Sequence, residues 1–280
     1  MVSFAKIKVH SRRRKMIANQ LTRSRDAADH GISLNTLKYI AILAMTIDHI
    51  AFAFVPLGTP LAILMHTIGR ITGPIMFFSA VEGYHHTSNI RRYILRLAVF
   101  AIISWLPFLY FKYGGDLSGA PVMRPNVIYT ILLGVLAIHI RRNAHLKNPV
   151  LKTLLILALI ILCVPADWGC TGIIIILVLD YFYTNFKHQA FAYCMVVLLN
   201  MEILTMLTSP FFSLFYDHTF YIDTEYYLYS LQNIGAFIPI ILLSFYKGQH
   251  GSKSSFSKWF FYFFYPVHLL ILGLIRLSLL

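Results

Sequence analysis

Four ionisable side chains lie inside long apolar stretches of the sequence, where acid–base chemistry would be shielded from water. Asp48 and His49 are adjacent in the first stretch. Arg70 lies in the second stretch and His268 in the last. An ionisable residue at membrane depth costs about 2.5–3.5 kcal/mol on insertion scales, so it marks a paired or functional position. At a rise of about 1.5 Å per residue, all four fall near the centre of a bilayer or slightly outward of it. We therefore expect both ends of the chain to meet in one polar chamber.

The spacing of these residues limits how they can pair. Asp48 and His49 point about 100° apart on a helix, so they cannot bond each other. We expect Asp48 to pair with Arg70, which would leave His49 facing the chamber as a neutral base. Alternatively, Asp48 and Arg70 only lock two helices together, and each histidine only bonds the backbone. Pro266 precedes His268 and frees a carbonyl one turn earlier, which a polar cavity could use.

Three further polar side chains are candidates for substrate binding. Glu82 ends the second apolar stretch and could anchor a polar substrate, or it could pair with Arg96 of the next stretch. Asn126 opens the fourth stretch. Asp167 begins an Asp-Trp-Gly turn that leads into the sixth. Another intramembrane carboxylate, Asp180, is expected to be an interhelical partner.

Several other chemistries are not predicted, because their motifs are missing from the sequence. There is no H-E-x-x-H motif, no carboxylate cluster and no phosphate-binding glycine loop. The nucleophile-elbow motif G-x-S-x-G is absent as well. His85 and His86 are neighbours and cannot chelate a metal from one helix face. We expect no metal site.

The composition indicates what must position these side chains. Of 280 residues, 58% are apolar and 15% aromatic, and only 12% are charged, against about 25% charged in soluble domains. A soluble globular protein of this size could not hide so much apolar surface. Extensive disorder is excluded by the same apolar content. The sequence therefore predicts an all-α fold, a polytopic bundle of membrane helices.

Nine apolar stretches are predicted to be transmembrane helices. Several are shorter than the roughly 20 residues that a crossing needs, so we expect breaks and tilts. A further stretch, 209–227, is predicted to be amphipathic and interfacial. The predicted spans are 36–56, 61–84, 91–112, 126–140, 150–165, 168–185, 189–208, 228–246 and 258–279.

The basic residues predict an orientation. The chain has 24 Lys and Arg against 11 Asp and Glu, a formal charge of +13. The predicted outer side holds only Lys112, Arg124 and Arg276, which indicates an inside N-terminus and an outside C-terminus. Residues 1–35 are predicted to be a disordered cytoplasmic tail on the anionic leaflet, so the charge does not indicate nucleic acid. The inner loops hold Arg91, Arg92, Arg141, Arg142, Lys147, Lys187, Lys247 and Lys253.

A series of short motifs resembles the TraX family, in order from about residue 35 to residue 275. No single motif is decisive, but their order and spacing together are specific. The motifs are LKYIA at 37–41, MTIDHI at 45–50, IGR at 68–70 followed by Pro74, Phe77, Glu82 and Gly83, then Arg96-Leu97, Asn126 to Gly134, Asp167-Trp168-Gly169, and FYPVHLL at 264–270. The Trp168 position is a mild departure, since Tyr-Gly is the more familiar form.

The resemblance implies an activity and its substrates. TraX is known for acetylating the N-terminus of conjugative pilin, and the family is similar to integral membrane acyltransferases that use acetyl-CoA. We therefore expect a transmembrane acyltransferase domain over 36–280, in the bacterial cytoplasmic (inner) membrane. It would move acetyl from acetyl-CoA to an amine or hydroxyl of a membrane-associated acceptor, either a pilin-like peptide or an envelope glycan.

Carried over residue by residue, the resemblance places the Asp-His pair on Asp48 and His49, the Gly-Arg on Gly69 and Arg70, and the late histidine on His268. His49 would be the general base. Arg70 would hold helices in register or stabilise an oxyanion. His268 would orient or protonate the leaving thiolate. Two other classes remain open: a proton- or ion-coupled transporter, and a non-catalytic factor in pilus or envelope assembly.

Overall fold

The computed structural model describes residues 31–115, 117, 124–217, 224–249, 251 and 254–279. Within these ranges the regular structure is helical and no strand occurs, which confirms the predicted all-α class. Most of the predicted basic tail lies outside the described residues. The helices are α1 Leu34–Phe54, α2 Pro60–Gly69, α3 Thr72–His86, α4 Ile90–Ile103, α5 Trp105–Lys112, α6 Val127–Arg142, α7 Pro149–Cys163, α8 Gly169–Tyr181, α9 Phe186–Asn200, α10 Ile203–Asp217, α11 Thr224–Leu231, a 3-10 helix Gln232–Phe237, α12 Ile238–Ser244 and α13 Ser255–Ser278.

Side-chain caps start seven of these helices. The Ser33 hydroxyl accepts a hydrogen bond from the Thr36 N–H at 3.1 Å and opens α1. Asparagine does the same for four helices. A cap side chain satisfies amide groups that the first helical turn leaves unpaired, and a membrane offers little water to replace it. The capping asparagines are Asn89, Asn126, Asn148 and Asn185.

Two predicted spans are broken helices, and proline explains both breaks. Helices α2 and α3 together cover Pro60–His86 and are interrupted at Arg70. Pro74 has no N–H to donate to the Arg70 carbonyl four residues earlier, so the helix cannot continue through that turn. Pro107 has the same effect between α4 and α5, at Ser104. These breaks lie in two of the longer predicted spans, not in the short spans for which breaks were expected.

The number of spans is smaller than predicted. In the described part of the chain, five helical stretches are long and apolar enough to cross a membrane. A sixth is obtained if α9 and α10, which meet at a 52° bend, form one span. Helices α7 and α8 are apolar but shorter. The predicted count of nine is thus not confirmed. The predicted interfacial segment 209–227 overlaps the end of α10 and the start of α11, and residues 218–223 lie outside the described residues.

The two ends of the chain pack together, as the intramembrane charges predict. Helix α1 contacts α2, α3 and α13, while α13 also lies along α5. A second group forms around α6, which packs against α4, α7 and α8. Close approach depends on glycine at some contacts. A Cβ at Gly69 would collide with the Asp48 carboxyl group, and one at Gly134 would collide with Ile176. These contacts place α1, α2 and α13 around one polar region.

Candidate functional site

A pair of histidines joins the first described helix to the last. His49 Nδ1 lies 2.7 Å from His268 Nε2. His268 Nδ1 lies 2.8 Å from the Phe264 carbonyl oxygen. A carbonyl only accepts, so His268 Nδ1 must donate and its neutral Nε2 must accept from His49. The neutral His49 ring then carries its lone pair on Nε2, a tautomer assigned from the hydrogen-bond network. His268 therefore makes both the backbone bond and the bond across to α1.

Asp48 has a different partner from the one predicted. Its Oδ1 accepts a hydrogen bond from His66 Nδ1 at 2.8 Å. Among the described residues it forms no ion pair with Arg70. The reason is the register of α2. Arg70 caps this helix at the break, while His66, one turn earlier, faces α1. Gly69 has no side chain and lets the two helices approach at this level.

Arg70 keeps an unused donor. Its Nε is buried and makes no hydrogen bond to any described residue. A buried donor without a partner costs about 1–3 kcal/mol, so such groups are retained where a ligand or water completes them. Arg70 lines the same cavity as His49. The side chain predicted to hold α1 and α2 together is therefore one of the cations at the cavity and has no hydrogen-bond partner among the described residues.

The cavity that contains these residues has a volume of about 1630 Å³. Typical sites for one small ligand occupy about 300–1,000 Å³, so this one has room for two substrates. Lys38 and Arg96 line one end, which we call the Lys38 mouth. Phe52, Lys112 and Arg124 line the other end, which we call the Phe52 mouth. The residues between the two mouths include Asp48, His49, His66, Arg70 and Glu82.

Glu82 is buried in the cavity wall and is held by a tyrosine and a histidine. The Tyr246 hydroxyl donates to its Oε2 at 2.8 Å, and His86 Nδ1 lies 3.6 Å from the same oxygen. The expected alternative partner, Arg96, instead lies over the Tyr93 ring, 5.7 Å from its centroid. Glu82 is thus positioned at the cavity, as a substrate anchor requires, although its contacts also serve helix packing.

Asp167 lies in the turn between α7 and α8 and faces the cavity. Burial raises the pKa of this carboxyl group, while the nearby Lys112 ammonium lowers it in part. The Lys112 Nζ to Asp167 Oδ1 distance is 4.0 Å. The backbone N–H of Asp167 donates to the Pro125 carbonyl at 3.0 Å, which fixes the turn.

Asn126 lies away from this chemistry. Its Oδ1 accepts from the N–H groups of Ile128 and Tyr129, and its Nδ2 donates to the Ala101 carbonyl at 2.8 Å. The side chain is completely buried and does not line the cavity. It caps α6 and ties that helix to α4. The predicted substrate-binding role of Asn126 finds no support in this arrangement.

Asp180 is an interhelical partner, as expected. Its carboxylate accepts from His85 Nε2 at 2.8 Å and from Arg142 Nε at 2.9 Å, and it also pairs with Arg141. The His85 ring stacks on Tyr183 with centroids 3.7 Å apart. The network joins α3, α6 and α8 and lies outside the cavity wall.

Sequence reasoning missed several functional groups. His66 lies four residues before Arg70, on the same face of α2, and this spacing could have identified it. In the sequence, Lys112 and Arg124 are distinguished only as basic residues on the predicted outer side. Gln232 and Asn233 are buried and line the cavity, and their side chains make no hydrogen bond to another described residue. Their short 3-10 helix packs on α2, a contact that no local pattern indicates.

The fold and site together define a class: an all-helical membrane protein in which a cavity-lining histidine of the first described helix is hydrogen-bonded to a buried histidine of the last. A family model described as TraX protein matches residues 33–276, so the chain belongs to the TraX family.

Comparison with characterised sequences gives a similar relative. The "Probable fimbrial assembly protein FimC, serogroup H1" of Dichelobacter nodosus is 33% identical over 241 residues, covering 84% of this chain and 92% of the relative. No solved structure matches the chain.

Proposed function

We propose that the protein is an integral membrane acetyltransferase that moves an acetyl group from acetyl-CoA to an amine or hydroxyl of a membrane-associated acceptor. The observation that carries the proposal is the hydrogen-bond chain from the Phe264 carbonyl through His268 to His49. This chain directs the basic Nε2 of a cavity-lining histidine away from its partner. Membership of the TraX family supports the choice of acyl transfer.

His49 acts as the general base in this mechanism. As the acceptor nitrogen or oxygen attacks the thioester carbonyl, His49 Nε2 takes its proton. The resulting imidazolium still donates from Nδ1 to His268, which stabilises the charge. When the tetrahedral intermediate collapses, the carbon–sulfur bond breaks and the thiolate takes the proton back from His49. The ester or amide and free CoA are the products, and His49 returns to its neutral form.

Arg70 stabilises the developing oxyanion. Arg70 lines the cavity, and its guanidinium makes no hydrogen bond to a described residue, so its donors are not committed to another acceptor in this part of the chain. A preorganised donor in a water-poor site typically contributes about 10²–10³-fold to the rate. The Asp48–His66 bond holds α1 against α2, and so keeps His49 and Arg70 in register.

The Lys38 mouth is the entrance for acetyl-CoA. With the N-terminus inside, this mouth faces the cytosol, where the donor is found. Lys38 and Arg96 would bind the nucleotide phosphates there. The acceptor then approaches through the Phe52 mouth. This arrangement corresponds to a multi-pass protein of the bacterial inner membrane.

The relative's name favours a second candidate, a non-catalytic role in assembling a pilus or another envelope structure. A pilin-like peptide would be the partner in that case, as it would be one acceptor class for the enzyme. The two roles differ in their need for the histidines. An assembly function should survive the loss of both His49 and His268.

The experiment uses the purified full chain in phosphatidylcholine nanodiscs with radiolabelled acetyl-CoA and a membrane extract from the producing bacterium. Transfer of label and release of free CoA are both measured. His49→Ala should abolish both signals, while His145→Ala, a change at an exposed histidine, should leave them unchanged. Full activity in His49→Ala would overturn the mechanism.

A further inference from the structure

Three basic side chains from separate parts of the chain converge at the Phe52 mouth. Lys112 Nζ lies 4.9 Å from the Phe52 ring centroid, and the Arg276 guanidinium carbon lies 5.7 Å from the same centroid. Arg124 Nη1 donates to the hydroxyl of Tyr113, the residue that follows Lys112, at 3.2 Å. These are the three basic residues that the predicted topology leaves on the outer side. The basic residues of the predicted outer side therefore lie close together near Phe52.

Among the described residues, the charge at this mouth is not balanced. Asp167, 4.0 Å from Lys112, is the one described carboxylate within ion-pair distance of this group. Arg124 and Arg276 form no ion pair with any described residue. An Arg side chain has five N–H donors and a Lys ammonium has three, and each arginine here donates one to an uncharged oxygen. Most of the donors at this mouth therefore have no hydrogen-bond partner within the described part of the chain.

Helix capping explains only part of this arrangement. Lys112 and Arg276 lie in the last turns of α5 and α13, where a cation is favoured by the helix dipole. Arg276 Nη1 also donates to the Phe111 carbonyl at 3.4 Å. Arg124, however, lies outside any helix. Dipole stabilisation also does not require Lys112 and Arg124 to line the cavity that contains His49.

We propose that the Phe52 mouth binds a phosphate group of the acceptor substrate. Phe52 lies three residues after His49 on α1, about 4.5 Å along the helix axis. A phosphate held in the cavity by Lys112 and Arg124, with the charge of Arg276 beside Phe52, would place a neighbouring amine or hydroxyl within reach of His49 Nε2. Convergent cations and donors of this kind suit a compact dianion. The substrate class is thus a phosphate-bearing acceptor, and this assignment rests on the proposed acetyltransferase function.

The first test measures binding without acetyl-CoA, so it does not depend on activity. Wild-type protein in phosphatidylcholine nanodiscs is labelled with an amine-reactive ester, with inorganic phosphate or acetate added at constant ionic strength. Peptide mass spectrometry then quantifies labelling. Phosphate should reduce labelling of Lys112 at least fivefold, while exposed Lys187 stays unchanged. Absence of protection, or equal protection by acetate, would overturn the proposal.

Variants test the charge balance. Arg124→Gln should raise the phosphate concentration needed for half-protection of Lys112 about tenfold. Asp167→Asn removes the counter-charge and should lower that concentration. Arg92→Gln, a change at an exposed arginine, is the matched control and should have no effect. If Arg124→Gln does not fold, Asp167→Asn remains the test of the proposal. Unchanged or weaker protection of Lys112 by phosphate in Asp167→Asn would contradict the charge argument.

Two further additions identify the source of the phosphate. Free CoA should leave Lys112 exposed to labelling, because its phosphates belong at the Lys38 mouth. In phosphatidylglycerol nanodiscs, inorganic phosphate should still protect Lys112 from labelling. Protection of Lys112 by CoA would reassign the Phe52 mouth to the donor. Complete protection of Lys112 by phosphatidylglycerol alone would reassign the Phe52 mouth to a lipid headgroup.

The phosphate site and the proposed enzyme activity can fail separately. If acetyl transfer is not observed but phosphate still protects Lys112, the enzyme proposal is overturned and the phosphate site is retained.

Discussion

His49 and His268 are separated by 219 positions in the chain and joined by a hydrogen bond of 2.7 Å. The bond connects α1 to α13 beside the cavity, which His49 lines and His268 does not. Because His268 Nδ1 is already committed to the Phe264 carbonyl, the polarity of the pair is set, and His49 must be its donor. The pair therefore acts as one unit: His268 fixes the tautomer of His49 and supports the charge that His49 gains.

His268 is a positioning residue in this scheme, and its variants should show it. His268→Ala should lower kcat about 10²-fold with little change in KM for acetyl-CoA, because the base is still present but no longer oriented. His268→Gln should recover part of the loss, since its amide oxygen can accept from His49 Nδ1. Steady-state kinetics on the purified protein separate the two parameters. Equal kcat in both variants would contradict a positioning role.

The Asp48–His66 bond should contribute to stability as a coupled pair. Asp48→Asn and His66→Ala should each destabilise the protein, and the double variant should lose less than the sum, with a coupling of about 0.5–3 kcal/mol. The measurement is reversible unfolding in mixed micelles. The same cycle with Arg70→Gln in place of His66→Ala is the control. A larger coupling for Asp48 with Arg70 would restore the pairing that the sequence predicted.

Asn126 should behave as a structural residue. Asn126→Ala removes the cap of α6 and the bond to the Ala101 carbonyl, so we expect a loss of about 1–2 kcal/mol in unfolding free energy. The KM values of the folded fraction should not change. Asn148→Ala removes a cap from the exposed helix α7 and is the matched control, with a smaller stability loss. A raised KM in Asn126→Ala alone would reinstate its predicted role in substrate binding.

Much of the fold could be predicted from the sequence because membranes impose simple rules. Apolar stretches identify the helices, and Pro74 and Pro107 explain where two of them break. The number of crossings could not be predicted in the same way. Whether short helices such as α7 and α8 complete a crossing depends on tilt and on their neighbours, which local composition does not encode.

The candidate site, like the fold, could be predicted from the sequence only in part. The meeting of His49 with His268 could be predicted, because a buried ionisable group in each terminal span needs a polar neighbour. The partner of Asp48 could not, because pairing depends on the rotation of α2 about its axis. Both His66 and Arg70 line the cavity, but it is His66 that hydrogen-bonds Asp48. The opposite charges of Asp48 and Arg70 favoured arginine as the partner of Asp48, but in the structure that partner is His66.

The raised pKa of Asp167 predicts that its charge lowers the stability of the protein at neutral pH, compared with an uncharged residue at this position. Burial raises its pKa above the ordinary value of 3.8, and Lys112 offsets this only in part. The folded state therefore binds the proton more tightly than the unfolded state. Stability is lost as the pH rises from about 3.8 through the raised pKa of the folded protein, and the loss is complete above it.

The variant Asp167→Asn tests this linkage. At pH 7 it should have a higher Tm than the wild type, and the difference should shrink as the pH falls toward 4. Thermal unfolding of the full chain in detergent, measured from pH 4 to pH 8, gives both curves. Asp180→Asn is the contrasting control, because that carboxylate is neutralised by Arg141 and Arg142 and its loss should lower Tm at pH 7. A Tm difference that does not depend on pH would show that Asp167 acts through packing and not through its charge.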